Sequence, residues 1–258
     1  MTERVRIMVG VLVALVWTNV AWGQGLYWES KTTGIGGDAR VAQNYAMPKM
    51  MKVVNPDGKS VIVRADQEKF FNVDTKKQTY HEMTFAEMQA AGQAVQTQME
   101  AAKAEMEKQM KAMSPEQRAM MEKMMPKMPG AESAKSAVVV KNSGETKTIA
   151  GYTCTKYAAT EDGRTMLTVW TTKDVKGFDA LREDWLTYQK RMAGTNRNFG
   201  GAMVEAYSKI EGFPMETDMG EITTQVTKIE ARTTPASEFE VPAGYKKESV
   251  NFPKPAAK

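Results

Sequence analysis

The middle of the chain carries apolar and small residues at intervals of three and four, which is the period of one face of an α-helix. The intervening positions are mostly Gln, Glu, Lys and Ala, which favour helix. Thr84 and Glu87 have the spacing of a capping box, so the predicted helix begins at Thr84 and runs to Met113. Its apolar face consists of Phe85, Met88, Gly92, Val95, Met99, Ala102, Met106, and Met110 or Met113.

A second helix is predicted directly after the first. Ser114–Gln117 has the spacing of another capping box with Pro at the first helical position, and Pro126 and Pro129 end the segment. Eleven of the chain's 21 methionines lie in Met83–Met128. Residues 84–130 are therefore predicted to form a Met-rich helical insertion.

The segments on either side alternate apolar and polar residues, which is typical of half-buried strands. Before the insertion, short runs separated by turn residues predict an antiparallel meander of Leu26–Thr33, Asp38–Ala46, Lys49–Val54, Ser60–Ala65, Lys69–Asp74 and Gln78–Met83. After it, we predict strands at Ala137–Lys141, from Gly144 to Thr160, at Thr165–Thr172, at 212–218 and at Glu221–Arg232, with helices at Phe178–Met192 and Ala202–Ile210.

The first residues have the features of a secretory signal peptide. Arg4 and Arg6 precede an apolar run, and Ala21 and Gly23 provide the small residues that a signal peptidase reads. The run from Ile7 is 15 residues long, shorter than the roughly 20 that a membrane span requires. We expect cleavage between Gly23 and Gln24 and a periplasmic or secreted protein with no transmembrane span after cleavage.

The predicted organisation has five parts. These are a signal peptide in residues 1–23, one half of an antiparallel sheet in 24–83, the helical insertion in 84–130, the other half of the sheet with helix 178–192 in 131–250, and a flexible tail in 251–258.

Charge and reactive side chains narrow the functional classes. The formal net charge of +4 is too small to indicate nucleic-acid binding. Cys154 is the chain's one cysteine, so an internal disulfide is impossible, and we expect it to be a small buried residue. His81 is the one histidine, and no G-x-S-x-G elbow is present, so we predict neither an enzyme nor a bound cofactor.

Three pieces of the chain together resemble an exported bacterial family of unknown function, the DUF4412-like family. They are the strands within Leu26–Tyr80, the run Ile149–Tyr157 followed by Thr168–Trp170, and Phe239–Lys247 near the end. The sheet of that family is similar to that of the LolA, LolB and LppX lipoprotein carriers.

The resemblance implies an α+β fold: a curved antiparallel β-sheet, an incomplete barrel, with helices that cover its concave face. In the carriers that face holds acyl chains. The long Met-rich helical insertion departs from their compact lid helices. The family has no established activity, so no catalytic residue is carried over.

The first functional hypothesis is therefore a non-enzymatic protein that binds a lipid acyl chain or another hydrophobic ligand. Methionine is flexible and polarisable and adapts to irregular partners. The candidate ligand-binding residues are Met88, Val95, Met99, Met106 and Met110 of the insertion, with Trp170 and Trp185 as wall residues.

Two alternatives remain open from the sequence. The insertion is a candidate protein-interaction module that places its Met face against a partner or a second copy of the chain. Thioethers are also soft ligands that suit Cu(I), although no other metal site is predicted. The candidate copper ligands are Met120, Met121, Met124, Met125 and Met128.

Overall fold

The structure is a computed structural model that describes residues 25–34, 36–112, 114, 137–193 and 201–249. The strands are β1 (Gly25–Thr33), β2 (Arg40–Met47), β3 (Met50–Val54), β4 (Lys59–Arg64), β5 (Lys69–Asp74), β6 (Thr79–Thr84), β7 (Val139–Ile149), β8 (Tyr152–Glu161), β9 (Arg164–Thr172), β10 (Phe213–Asp218), β11 (Thr223–Arg232) and β12 (Lys246–Lys247). The helices are α1 (Phe85–Ala112), α2 (Phe178–Ala193) and α3 (Gly201–Lys209), with a short 3-10 helix at Ala236–Phe239.

The predicted signal peptide, the second helix of the insertion and the tail at 251–258 lie outside the described residues, as do the candidate copper ligands. No helix in the described part of the chain is long and apolar enough to cross a membrane.

All twelve described strands belong to one sheet. Its order is β12-β6-β5-β4-β3-β2-β1-β11-β10-β9-β8-β7. Neighbouring strands are antiparallel except for β12 and β6, which are parallel. β12 and β7 lie at opposite ends and do not pair within the described chain, so the sheet is open. The prediction of a sheet-dominated, antiparallel α+β protein is confirmed at this level.

The hairpin turns follow backbone requirements that are partly visible in the sequence. Asp162 and Gly163 connect β8 to β9 with positive φ at both positions, as expected for an Asp-Gly turn. Ala150 and Gly151 connect β7 to β8 in the same way, with φ of 47° and 85°. That second turn was not predicted, because alanine rarely adopts a positive φ. The region from Gly144 to Thr160, which the sequence predicts as one strand, is therefore divided between β7 and β8.

Two bulges interrupt the strand pairings in the middle of the sheet. Between β1 and β11 the register shifts at Glu29/Ser30, which leaves Thr227 without an opposite residue. Between β10 and β9 the shift at Pro214/Glu216 leaves Met215 as the extra residue. A bulge bends its strand and increases the local twist. The middle strands therefore bend close to where α2 packs.

Both faces of the sheet are covered. On the face that we call the inner face, α2 packs over β1, β10 and β11, and α3 packs over β9 through Met203 and Ala206. On the opposite, outer face, the 3-10 helix buries Phe239 completely against Ile62 and Val73. Successive side chains of a strand point in opposite directions, so β4 places Ile62 on the outer face and Val63 on the inner face.

The start of α1 follows the predicted capping box. The Thr84 N–H donates to Glu87 Oε2 at 2.8 Å, and the Glu87 N–H donates to Thr84 Oγ1 at 3.1 Å. Met88 is buried one turn later in a cluster with Phe70 on the inner face. Farther along the helix Val95 is 47% exposed. The insertion is thus anchored to the sheet through its first turns.

Cys154 is fully buried, and burial raises the pKa of its thiol. Burial blocks access to the thiol, and the raised pKa lowers the fraction of thiolate, which is the reactive form, so both make Cys154 less reactive. We expect the native chain to be inert to a thiol reagent such as DTNB at pH 8, and the unfolded chain to react with one equivalent. Rapid native labelling would contradict the placement of Cys154 in the core.

Candidate ligand-binding site

An apolar cavity of about 220 Å³ lies between the inner face of the sheet and α2. Strands from both halves of the sheet contribute to its wall, and α2 closes it on the other side. The main apolar lining residues are Leu26, Trp28, Ala46, Met47, Met50, Met51, Val63, Phe178, Leu181, Trp185, Tyr188, Phe213 and Val226.

Aromatic rings form a continuous cluster along this cavity. Phe213 packs edge-to-face with Trp28 at 5.5 Å and with Phe178 at 5.0 Å between ring centroids. Trp185 extends the cluster, with Phe178 at 6.4 Å and Tyr207 at 5.1 Å. Each ring is held by a neighbour in a favourable edge-to-face geometry. The wall is therefore preformed.

The position of α2 explains why its aromatic residues reach the cavity. Phe178, Leu181, Trp185 and Tyr188 recur at intervals of three and four, so they share one face of the helix. Phe178 and Leu181 are buried against Leu26 of β1, while Trp185 and Tyr188 are half-buried at the cavity. The period of the sequence therefore determines which side of α2 faces the sheet.

Tyr188 brings a polar group to this wall. Burial raises the pKa of its hydroxyl above its ordinary value, so the side chain is neutral at physiological pH. No hydrogen bond within the described residues involves that hydroxyl.

A hydrogen bond connects α2 to the β2–β3 hairpin beside the cavity. The Lys49 N–H donates to Asp184 Oδ2 at 2.8 Å. Lys49 follows Pro48 in the two-residue loop and has a φ of 61°, a left-handed conformation that is unfavourable for a residue with a side chain. The hydrogen bond to a charged carboxylate offsets part of that cost.

Two further contacts hold α2 at its ends. Arg182 donates to the Ile210 carbonyl oxygen at 2.9 Å, just after the end of α3. Arg191 lies over the Phe85 ring at 4.4 Å and within 3.9 Å of Glu68 Oε1. The helix that covers the cavity is thus fixed at three points along its length.

The structure places the predicted site residues in three different surroundings. Trp185 lines the cavity. Met88 is buried beside it, in the cluster that Tyr188 contacts, but does not line it. Val95 is exposed, Met106 and Met110 are half-buried farther along α1, and the side chain of Met99 lies outside the described set.

Trp170 lies away from the cavity. Its neighbours Val169 and Thr171 are buried, and Val169 packs against α3, so alternation directs Trp170 to the outer face. Lys147 Nζ lies 4.3 Å from the centre of the Trp170 ring, and its ammonium also pairs with Glu216 at 2.6 Å. These contacts, together with packing against the buried cluster that contains Cys154 and Met215, give Trp170 a local structural role.

The sheet half of the cavity was not predicted from the sequence. Leu26, Trp28 and Ser30 alternate on β1, which marks them as one face, and the same holds for Asn44 and Ala46 on β2. Their assignment to a shared wall with Phe213 needs the order of strands, which periodicity does not provide.

A second cavity of about 360 Å³ lies between β4–β6 and the segment after β12. Its lining is mostly polar, and several polar groups there are already paired. His81 Nδ1 lies 3.1 Å from the Glu248 carbonyl oxygen, and Asp74 accepts the Lys77 N–H at 3.0 Å. Among the described residues, no group of three or more His, Cys, Asp and Glu side chains is placed to hold a metal ion. The apolar cavity is therefore the stronger candidate site.

These features define an α+β protein with one open, mostly antiparallel sheet and an apolar cavity under a covering helix. The chain belongs to the family described as Domain of unknown function (DUF4412), whose model matches residues 50–245. A comparison with curated proteins finds no match.

Two solved structures are similar at low sequence identity. One is the crystal structure of an uncharacterized conserved protein from Thermus thermophilus, with a TM-score of 0.44 and 8% identity over 88% of this chain and 91% of that chain. The other is the structure of PNGF-II in C2 space group, with a TM-score of 0.38 and 10% identity over 89% of this chain and 31% of that chain. These TM-scores are too low for either likeness to bear on the function of this chain.

The Lys49–Asp184 hydrogen bond makes a testable contribution to stability. We expect Asp184→Ala to lower the free energy of unfolding by about 1 kcal/mol, because the Lys49 N–H loses its acceptor. Urea denaturation followed by circular dichroism measures the change. The matched control is Glu183→Ala, since Glu183 is exposed on the same helix and makes no contact with the hairpin among the described residues. Equal effects of the two substitutions would contradict the assignment.

Proposed function

We propose that this protein is a non-enzymatic binding protein that holds a hydrophobic ligand, such as an acyl chain, in the cavity between the sheet and α2. The observation that carries the proposal is the aromatic wall of Trp28, Phe178, Trp185 and Phe213 around a preformed apolar space. Ligand sites are mostly apolar and aromatic, with a few polar groups that orient the ligand.

The size of the cavity limits the ligand. A volume of 220 Å³ lies below the roughly 300–1,000 Å³ of ordinary small-molecule sites. One alkyl chain of similar volume or one aromatic ring would fill it. A larger lipid would need part of its length outside, or a movement of α2.

The proposal agrees with the resemblance to the LolA-like carriers. An open antiparallel sheet with a helix over one face is the arrangement in which those proteins hold acyl chains. Bulges in β1–β11 and β10–β9 bend the sheet at the cavity, as a curved, incomplete barrel requires. We place this binding in the periplasm or outside the cell, on the basis of the signal peptide predicted in residues 1–23.

The charged groups of the cavity favour binding over catalysis. Lys49 and Asp184 are the charged residues that line it, and Asp184 already accepts the Lys49 backbone N–H. His81 lies in the other cavity, where Glu248 contacts both ring nitrogens. No acid–base pair is thus positioned toward the apolar space in the described structure.

Native mass spectrometry of the protein purified from an exporting host, followed by lipid extraction, tests the proposal. We expect the wild type to carry a hydrophobic molecule at near one equivalent. Ala46→Phe should reduce the bound fraction at least tenfold, because the added ring occupies the cavity.

The matched control is Val41→Phe on the same strand. Val41 is 44% exposed, and alternation along β2 directs it to the outer face, so this variant should retain the ligand. A wild type that is free of ligand and binds no alkyl probe would contradict the proposal.

A second candidate function uses the insertion. α1 is 28 residues long, and among its described side chains Met88 is buried whereas Val95 is 47% exposed. Val95 and the half-buried Met106 are 11 residues apart and so lie on one face of α1, and helices that dock into a groove of a partner or of a second copy use such an apolar face. Binding through this arm and binding in the cavity are compatible, because they use different residues.

Sedimentation velocity tests self-association through the arm. We expect the double variant Val95→Glu, Met106→Glu to weaken dimerisation at least tenfold, because it places charge on the apolar face while Met88 keeps its contact with the sheet. Gln98→Glu, on the exposed surface of the same helix, is the control. A wild type that remains monomeric at high concentration, or variants that associate equally, would contradict this function.

A further inference from the structure

Two buried polar side chains lie on the wall of the apolar cavity. Asn44 of β2 is 6% exposed and Ser30 of β1 is 8% exposed, and both line the cavity. Burial of polar groups in an apolar wall is unfavourable unless they form hydrogen bonds. The bonds that they do and do not make indicate which chemical group this cavity accepts.

The orientation of the Asn44 amide follows from its neighbours. The Asn44 Nδ2 lies 3.3 Å from the Trp28 carbonyl oxygen, 3.4 Å from the Ala42 carbonyl oxygen and 3.1 Å from Ser30 Oγ. A carbonyl oxygen only accepts hydrogen bonds, so the atom beside these two carbonyls must be the NH₂ nitrogen. The amide oxygen, Oδ1, is therefore fixed on the other side.

This arrangement leaves an acceptor and two donors available. The hydrogen bonds of the Asn44 side chain to described residues all use Nδ2, and none reaches Oδ1. The Ser30 hydroxyl accepts from Asn44, and its own proton has no acceptor among the described residues. The Tyr188 hydroxyl, also on the cavity wall, likewise has no partner there. Asn44 Oδ1 needs a ligand that donates, which an alkane, an ester or a carboxylate does not do.

The charges at the cavity also argue against an anionic ligand. Lys49 and Asp184 contribute one positive and one negative charge to the lining, and the Lys49 side chain is exposed at its edge, so the net charge of the lining is close to zero. A carboxylate could accept from the Ser30 and Tyr188 hydroxyls, but it has no proton to donate to Asn44 Oδ1, and no cation on the apolar wall would compensate its charge.

We propose that the ligand of this cavity carries an uncharged hydroxyl or amide group that donates a hydrogen bond to Asn44 Oδ1, while its apolar part packs against Trp28 and Phe213. This inference rests on the proposed function, which it deepens by naming the ligand class. Ser30 and Asn44 are the residues that select the polar group, and the aromatic cluster binds the rest of the molecule.

Isothermal titration of the full chain with four eight-carbon probes tests the inference. The probes are 1-octanol, octanamide, 1-fluorooctane and octanoate. Fluorine is similar in size to a hydroxyl group but carries no proton. We expect 1-octanol and octanamide to bind about tenfold more tightly than 1-fluorooctane, and octanoate to bind more weakly than both donors.

A pair of variants locates the preference. Asn44→Leu should bring 1-octanol and 1-fluorooctane to equal affinity, because it removes the acceptor and keeps the volume. The matched control is Asn72→Leu, since Asn72 lines the polar cavity and not the apolar one. The comparison of probes on the wild type does not depend on the folding of either variant.

The outcomes distinguish this inference from the proposed function. Equal affinity for 1-octanol and 1-fluorooctane, or tightest binding of octanoate, would overturn the neutral-donor ligand and leave a hydrophobic binding protein. No binding of any of the four probes would overturn both proposals. Loss of the preference in Asn72→Leu as well as in Asn44→Leu would overturn the assignment of Asn44.

Discussion

The pairing of β1 with β11 is the interaction on which the rest of the structure depends. It joins the strands that precede the helical insertion to those that follow it, and Thr32 and Thr224, 192 positions apart, share a hydrogen bond across it. The pairing brings Leu26 and Val226 together under α2, where the core and the cavity meet. Contacts between such distant positions carry a large loop-closure cost, so the apolar burial under α2 must exceed that cost before the cavity exists.

Much of the local structure could be predicted from the sequence, because periodicity reports directly on burial. The alternation of β4 and β5, and the interval of three and four in Phe178, Leu181 and Trp185, correspond to the faces that the fold buries. For the same reason the helix half of the candidate site, Trp185, could be identified. The sheet half could not, because the proximity of Trp28 to Phe213 depends on strand order and on two bulges that no local pattern specifies.

The methionine-rich helix shows the limit of the same argument. The apolar interval along α1 correctly predicts a helix, but it does not say what covers the apolar face. Met88 is buried because it lies one turn from β6, close to Phe70. Val95 lies two turns farther along the helix and is exposed. A helix rises about 1.5 Å per residue, so seven residues carry the chain roughly 10 Å away from its anchor. Position relative to the anchor, rather than periodicity, decides which residue becomes core.

β1 pairs with β2 on one side and with β11 on the other, and both pairings shape the wall of the cavity. In β11 the bulge leaves Thr227 as the extra residue between the partners of Glu29 and Ser30, so β11 bends beside the cavity. The regular pairing of β1 with β2 places Ser30 close enough to Asn44 for the hydrogen bond that helps to orient the amide. An entirely apolar wall would be more stable and would bind any hydrophobic molecule of the right size. A buried Asn–Ser pair has a cost in stability, and in the proposed binding role it would discriminate among ligands, since a donor-free molecule leaves the acceptor unsatisfied. The register of β1 with β2 thus sets the polarity of the wall on which the proposed ligand preference depends.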